Sequence, residues 1–210
     1  GNPCVVYVCN LCYDKHNKTG GMTDMKQNPR LLAVIDYQND FVTGALGFDS
    51  ASEIDEGIAH LVQTYLAQGD HVLFTYDTHG DDYLQTREGR ALPVPHCNPK
   101  ESGWRLYGKT QEQCCETCAN SQIHTVCKGT FGMAPEDVIA LGRELPDLQE
   151  ILVVGDVTNM CVISNAILLQ AQWPEAQITV DAALCRGFDQ SLHEKALDVM
   201  ESMQMQIIHR

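Results

Sequence analysis

The chain of 210 residues is long enough for one domain with a sizeable core, with or without an extension, and nothing in its length demands a second domain. With 28 acidic against 14 basic residues, its formal charge of −14 repels polyanions and offers no basic stripe for phosphates, which argues against nucleic acid as a partner. Its longest apolar runs, such as 151–154 and 161–169, are far shorter than a bilayer span, and no basic segment precedes an apolar one near the N-terminus, so the chain reads as soluble, cytoplasmic and free of membrane.

Residues 1–29 read as an N-terminal extension and 30–210 as the domain proper. The extension holds Cys4, Cys9, Cys12 and His16, and the gap between Cys9 and Cys12, repeated at Cys115 and Cys118, is one used in zinc and redox sites. A structural metal site and a poorly ordered leader are the two readings of this stretch. From residue 31 to 35 an unbroken apolar run predicts a strand buried on both faces, and it stops at Asp36. A helix follows: Ser50 and Glu53 have capping-box spacing, Ile54, Ile58, Leu61, Val62, Tyr65 and Leu66 share one face, and Gly69 ends it. A second strand, 71–76, runs into Asp77. After a long irregular stretch rich in Pro, Gly and Cys, 123–127 reads as a third strand ending at Lys128, and a helix is expected over 135–145. The fourth strand, 151–154, leads through the turn 155–160 to a helix that opens at Cys161 and must end before Pro174. A strand at 177–180, a helix near 191–203 and a strand at 205–208 complete the alternation. Of the ten cysteines, several fall inside these apolar patterns, where a reduced thiol serves as a small hydrophobe rather than as part of an extracellular disulfide framework.

Alternating strands and helices imply an α/β fold with three α/β/α layers around a mainly parallel sheet and right-handed crossovers. Sites in such sheets gather at the carboxyl ends of the strands. Asp36, Asp77, Lys128 and, one turn further on, Cys161 each follow a predicted strand, so four residues far apart in sequence should meet on one edge. Singly, each has an ordinary explanation: Asp is a common turn former, Lys is usually solvated, and Cys at the start of an apolar helix is usually core. Position adds weight to Cys161, because free backbone N–H groups at a helix N-terminus favour a thiolate and can donate to an oxyanion.

The segments 31–41 (LLAVIDYQNDF), 126–132 (VCKGTFG) and 153–166 (VVGDVTNMCVISNA) resemble, in the same order, the three motifs of the isochorismatase-like cysteine hydrolases. The resemblance runs from about residue 30 to the C-terminus and implies a catalytic triad of Asp36, Lys128 and Cys161. It also implies a non-proline cis peptide at Asp156 and Val157, in an oxyanion turn that includes Met160. Within the family, 77–107 is similar to nicotinamidases. The Asp-x-His pair Asp77 and His79, His96 of the Pro-x-Pro-His-Cys run, and Glu88 correspond to metal ligands there. Such a mixed set suits Zn, Mn or Fe with open positions. Aromatic residues sandwich the pyridine ring in those relatives; Phe41 and Phe131 match their positions, and Leu92 stands where another aromatic is frequent.

These implications give the expected activity: metal-assisted hydrolysis of a small amide, nicotinamide to nicotinate and ammonia, serving salvage of an NAD precursor, in a homo-oligomer. The alternatives are another reaction of the family, on an N-carbamoyl compound, another small amide or isochorismate, and, from a different class, a thiol-rich metal-binding or redox-sensing protein with an inert triad. The Leu92 departure and the cysteine-rich insert at 114–118 leave the substrate open.

Overall fold

A computed structural model of the protein describes residues 29–117 and 120–210. Its centre is a six-stranded sheet in the order β3-β2-β1-β4-β5-β6, with β1 Arg30–Ile35, β2 His71–Asp77, β3 Ile123–Lys128, β4 Glu150–Asp156, β5 Gln177–Arg186 and β6 Gln206–Ile208, all paired in parallel. The chain builds outward from β1 in one direction, then returns to its other side, so β1 and β4 flank the point where the order reverses. Crevices in open parallel sheets form there, beyond the carboxyl ends.

The α-helices of the described residues are α1 Asn39–Val42, α2 Asp55–Ala67, α3 Arg87–Ala91, α4 Gly108–Thr117, α5 Pro135–Glu144, α6 Ile163–Gln172 and α7 Gln190–Ser202. Alternate residues of β1 point to opposite faces, as the strand period requires. Leu31, Ala33 and Ile35 join Val138 and Leu141 of α5, Ala166 and Leu169 of α6, and Leu197 and Met200 of α7 in one core. Leu32 and Val34 join Ile58, Val62 and Tyr65 of α2 with Trp104 and Leu106 in the other. Because the strands are covered on both sides, their apolar runs are continuous rather than alternating. Truncating a fully buried leucine such as Leu169 to alanine removes about 2–5 kcal/mol.

Several local expectations need correction. Ser50 makes no side-chain cap, because a 3-10 turn at Ala51–Ile54 precedes α2 and takes the chain past the capping position. The irregular stretch after β2 contains α4, whose start is held from a distance: the Asp55 carboxylate accepts the N–H groups of Lys109 at 2.8 Å and Thr110 at 3.0 Å. The fifth strand extends to Arg186, well beyond residue 180: its register on β4 shifts between Val153 and Gly155, where Asp181 takes the Ala183 N–H on its side chain at 3.1 Å, and pairing resumes at Cys185. Cys97, Cys161 and Cys185 are buried free thiols, and Cys114 is buried with its sulfur 3.7 Å from the Tyr76 hydroxyl. Cys127, on edge strand β3 and half-buried, is disulfide-bonded, contrary to the expectation of reduced strand cysteines. Cys4, Cys9, Cys12, His16 and Cys118, and the side chain of Cys115, lie outside the described residues, and the metal-site reading of the extension lies there with them. Among the described residues no helix is long and apolar enough to cross a membrane.

Candidate active site

The carboxyl ends of β1, β2, β3 and the turn after β4 deliver Asp36, Asp77, Lys128 and Cys161 to one place, as the strand-end argument requires. Lys128 Nζ lies 2.5 Å from Asp36 Oδ2, 3.6 Å from Asp77 Oδ1 and 3.6 Å from Cys161 Sγ, and it donates to the Thr130 carbonyl at 3.0 Å. All four side chains are buried. An ammonium in such a place survives only with anionic neighbours. Burial pulls Lys128 down, but the Asp36 and Asp77 carboxylates outweigh it and raise the amine above its usual range.

Asp36 sits at a backbone φ of +46°, just past β1. Thr75 of the neighbouring strand fixes it twice, donating its hydroxyl to Oδ1 at 2.6 Å and accepting the Asp36 N–H at 3.1 Å. Burial pushes the Asp36 carboxyl upward against the pull of Lys128, a shift that makes it a better proton acceptor. Burial, followed by the Asp36 charge, also pushes the Cys161 thiol well above its usual range. The helix-terminus argument for a preformed thiolate therefore loses to desolvation. Cys161 is a thiol until its proton is taken, and the raised carboxyl beside it is the group to take it.

The turn before Cys161 has the shape the resemblance implied. Asp156–Val157 is a cis peptide. Gly155, at φ +120°, pairs with Ile35, and a Cβ there would come 2.1 Å from the Ile35 carbonyl oxygen, so glycine is required. Thr158–Val162 forms a widened π-type turn before α6, so the regular helix opens two residues later than Cys161. Met160 donates its N–H to the Val157 carbonyl at 3.0 Å. Met160 also lines the cavity. Thr158 donates to the Arg186 carbonyl at 2.9 Å, so the ring nitrogen of His193, 2.8 Å from the same hydroxyl, is the donor of that pair.

The second cluster adjoins the first. Asp77, His79, Glu88 and His96 present ligand atoms all within 4.8 Å of one another. Asp77 Oδ2 lies 3.0 Å from His79 Nε2 and 3.2 Å from His96 Nε2, and Glu88 Oε1 lies 3.7 Å from His79 Nε2. These are spacings of ligands around a single ion with bonds of about 2.1 Å. His96 Nδ1 donates to the Val94 carbonyl at 2.7 Å, which leaves Nε2 with the lone pair a metal needs. Burial would raise the Asp77 carboxyl, but Lys128 and His79 outweigh it and lower it below the usual carboxylate range. The donor set thus fits a divalent cation.

Both clusters open into a cavity of about 330 Å³ lined by Phe41, Asp77, Glu88, Leu92, His96, Phe131 and Cys161, and also by Leu46, Val157, Met160 and Phe188. The expected substrate-contact positions are all present. Phe41 meets the His96 ring edge-on at 5.6 Å, and the Tyr83 hydroxyl anchors Leu92 through its carbonyl at 3.0 Å. Sequence reading missed Leu46, Phe188, Thr75 and Gln38. The buried Gln38 accepts the Asp77 N–H at 2.7 Å and donates to the Asp77 carbonyl at 3.0 Å, tying β2 to the turn after β1. Thr75 stands two residues before the end of β2, and neither Phe188 nor Gln38 carries a comparable signal.

Comparison with known proteins agrees with this geometry. The model of the isochorismatase domain matches residues 30–210. An isochorismatase family protein of Bacillus subtilis (strain 168), PncA, is 26% identical over 171 residues, 80% of this chain and 92% of its own. Among solved structures, a nicotinamidase/pyrazinamidase from Bacillus subtilis superposes with a TM-score of 0.77 at 28% identity, covering 85% of this chain and 98% of its own. A pyrazinamidase/nicotinamidase from Streptococcus mutans UA159 gives 0.75 at 26%, covering 85% and 99%. The chain belongs to the isochorismatase family and is a hydrolase of that family.

Proposed function

We propose that the protein is a metal-assisted amidase that converts nicotinamide to nicotinate and ammonia. The observation that carries this reading is the buried Asp36–Lys128–Cys161 cluster sharing one small, mostly apolar cavity with the four-residue cation site. The similarity to nicotinamidases and pyrazinamidases supports it, and isochorismate chemistry alone gives no reason for a second, cation-binding cluster.

The substrate carboxamide carbon sits against Cys161 Sγ. Asp36 takes the thiol proton as sulfur bonds to carbon, and Lys128 holds the Asp36 carboxylate in place and balances the negative charge as it moves to sulfur. The carbonyl oxygen becomes an oxyanion facing the N-terminal turn that begins at Val157, where the Cys161 N–H is the assigned donor. Asp36 then gives its proton to the leaving nitrogen, ammonia departs, and a thioester joins the acyl group to Cys161. Water, deprotonated by Asp36, attacks the thioester; the product leaves as the carboxylic acid, which ionises in solvent, and the Asp36 proton returns to the Cys161 sulfur. A divalent cation held by Asp77, His79, Glu88 and His96, with zinc first and Mn or Fe also suited to the set, supplies Lewis-acid coordination for an electron-pair donor such as a pyridine nitrogen. Phe41 and Phe131 flank the ring.

The test is ammonia release from nicotinamide by purified protein, before and after chelation, beside Cys161→Ala. Metal-dependent release that Cys161→Ala abolishes is expected. A folded, metal-loaded wild type that releases none rules out nicotinamide as substrate.

A further inference from the structure

The cavity has two unlike ends. Its floor carries Asp77, Glu88, His96 and the Cys161 thiol, whereas the rest is apolar, and no lysine or arginine is among its lining residues. Three of the apolar residues, Leu92, Phe131 and Phe188, are 36%, 42% and 47% exposed. They serve the entrance rather than the core, and together they place three large apolar side chains around one opening.

Phe188 is the member of this group that no motif pointed to, and it is held firmly for a half-exposed side chain. It lies between the end of β5 and the start of α7. On one side the Arg186 carbonyl accepts the Thr158 hydroxyl at 2.9 Å. On the other, the Asp189 side chain accepts the Leu192 N–H at 3.0 Å and caps α7. Gly187 packs on the turn that leads to Cys161, since a Cβ there would come 3.3 Å from Asn159 Oδ1 and 3.5 Å from the Val157 side chain. The Phe188 ring itself meets Phe48 edge to face, with centroids 4.8 Å apart and planes at 64°. The ring is therefore fixed relative to the nucleophile's own turn.

We propose that Phe188 is a specificity-determining residue: with Leu92 and Phe131 it forms a rigid apolar mouth that selects amides whose group beside the reacting carboxamide is flat and uncharged. This rests on the amidase reading of the site. A flat uncharged group gains by displacing water from three apolar walls. An anionic one loses hydration and finds no lysine or arginine among the lining residues to replace it. Selection by a wall of this kind acts on binding of the substituent and not on bond making, so it appears in KM rather than in kcat.

The experiment compares ammonia release from nicotinamide, benzamide and acetamide by the metal-loaded wild type, Phe188→Ala and Phe188→Leu. In Phe188→Ala, kcat/KM for the two aryl amides should fall about tenfold, mainly through KM, with less than about a twofold change for acetamide, and Phe188→Leu should recover most of the loss. An equal loss for all three amides, or no loss for the aryl pair, overturns the proposal. If wild type spares nicotinamide but cleaves benzamide, the nicotinamide assignment fails while the aryl-to-alkyl ratio still decides the role of Phe188. If it cleaves no amide, mass-resolved alkylation of Cys161 takes over: preference for N-phenyl iodoacetamide over iodoacetamide, lost in Phe188→Ala, supports the mouth, and absence of preference in the wild type refutes it.

Discussion

Two aspartates stand at the carboxyl ends of neighbouring strands, Asp36 after β1 and Asp156 at the end of β4, in backbones paired through Ile35 and Gly155. Both are fully buried, and burial raises both carboxyls. Asp36 is surrounded by partners, with the Thr75 hydroxyl on one oxygen and the Lys128 ammonium beside the other. Asp156 has no hydrogen bond to either oxygen among the described residues. Burial at a strand end is thus not what marks a working carboxylate. The marker is the set of groups that stabilise its charge and exchange its proton, and the same crevice holds one acid with that set and one without it.

Removing the cation should have the largest effect. Lys128→Met leaves Asp36 and Asp77 buried without it, so turnover should vanish and stability should fall by about 3–5 kcal/mol in urea denaturation. A loss below about 1 kcal/mol would mean that Asp36 is already neutral, and the contrast with Asp156 would collapse.

The opposite sign is expected at Asp156. Its folded pKa lies well above 3.8, so across the range upward from about 3.8 the folded chain keeps a proton that the unfolded chain has released, and stability drains away as pH rises toward the folded value. Asp156→Asn has no proton to lose there. Its melting temperature should exceed that of the wild type at pH 8, by an amount equivalent to about 1–3 kcal/mol, and the gap should narrow toward pH 5. A variant less stable than wild type at every pH would show that the unpaired carboxyl has a stabilising role.

Thr75→Val tests the partners of Asp36 more gently. Loss of the 2.6 Å bond should cost about 1 kcal/mol, read from the denaturation midpoint, while kcat falls but does not vanish. His193 gives the smallest effect. Burial lowers its pKa from 6.5, so its contribution is complete above that value and is lost as pH falls through it. His193→Gln should therefore flatten the decline of melting temperature between pH 6.5 and 5 by less than about 1 kcal/mol equivalent.

How much of this was legible beforehand varied with how local the cause is. Strands β1, β2 and β4 announce themselves because both their faces are covered, and the triad follows from what stands at strand ends and from motif order, whereas His79, Glu88 and His96 came only through the family resemblance. Helix α4 was hidden because its capping group, Asp55, is 54 residues from the Lys109 N–H it accepts. The second half of β5 was hidden because Asp181 and Arg186 break its apolar run. Asp156 looked like one more turn aspartate, since only the packed structure reveals that no described residue hydrogen-bonds its oxygens. Phe188 sits in a three-residue turn, where no periodicity exists to betray a wall.

The left-handed backbone at Asp36 puts a double demand on one position. Among non-glycine residues, aspartate and asparagine are those that enter this region at least cost, while β-branched residues are expelled from it. Most replacements at 36 would therefore perturb the main chain as well as the acid, and a loss of activity in them would not separate conformation from chemistry. Asparagine alone keeps the shape and removes the base. Conformational preference and proton transfer thus narrow this site to the same amino acid, so any evolutionary route to a different catalytic base must first rebuild the end of β1.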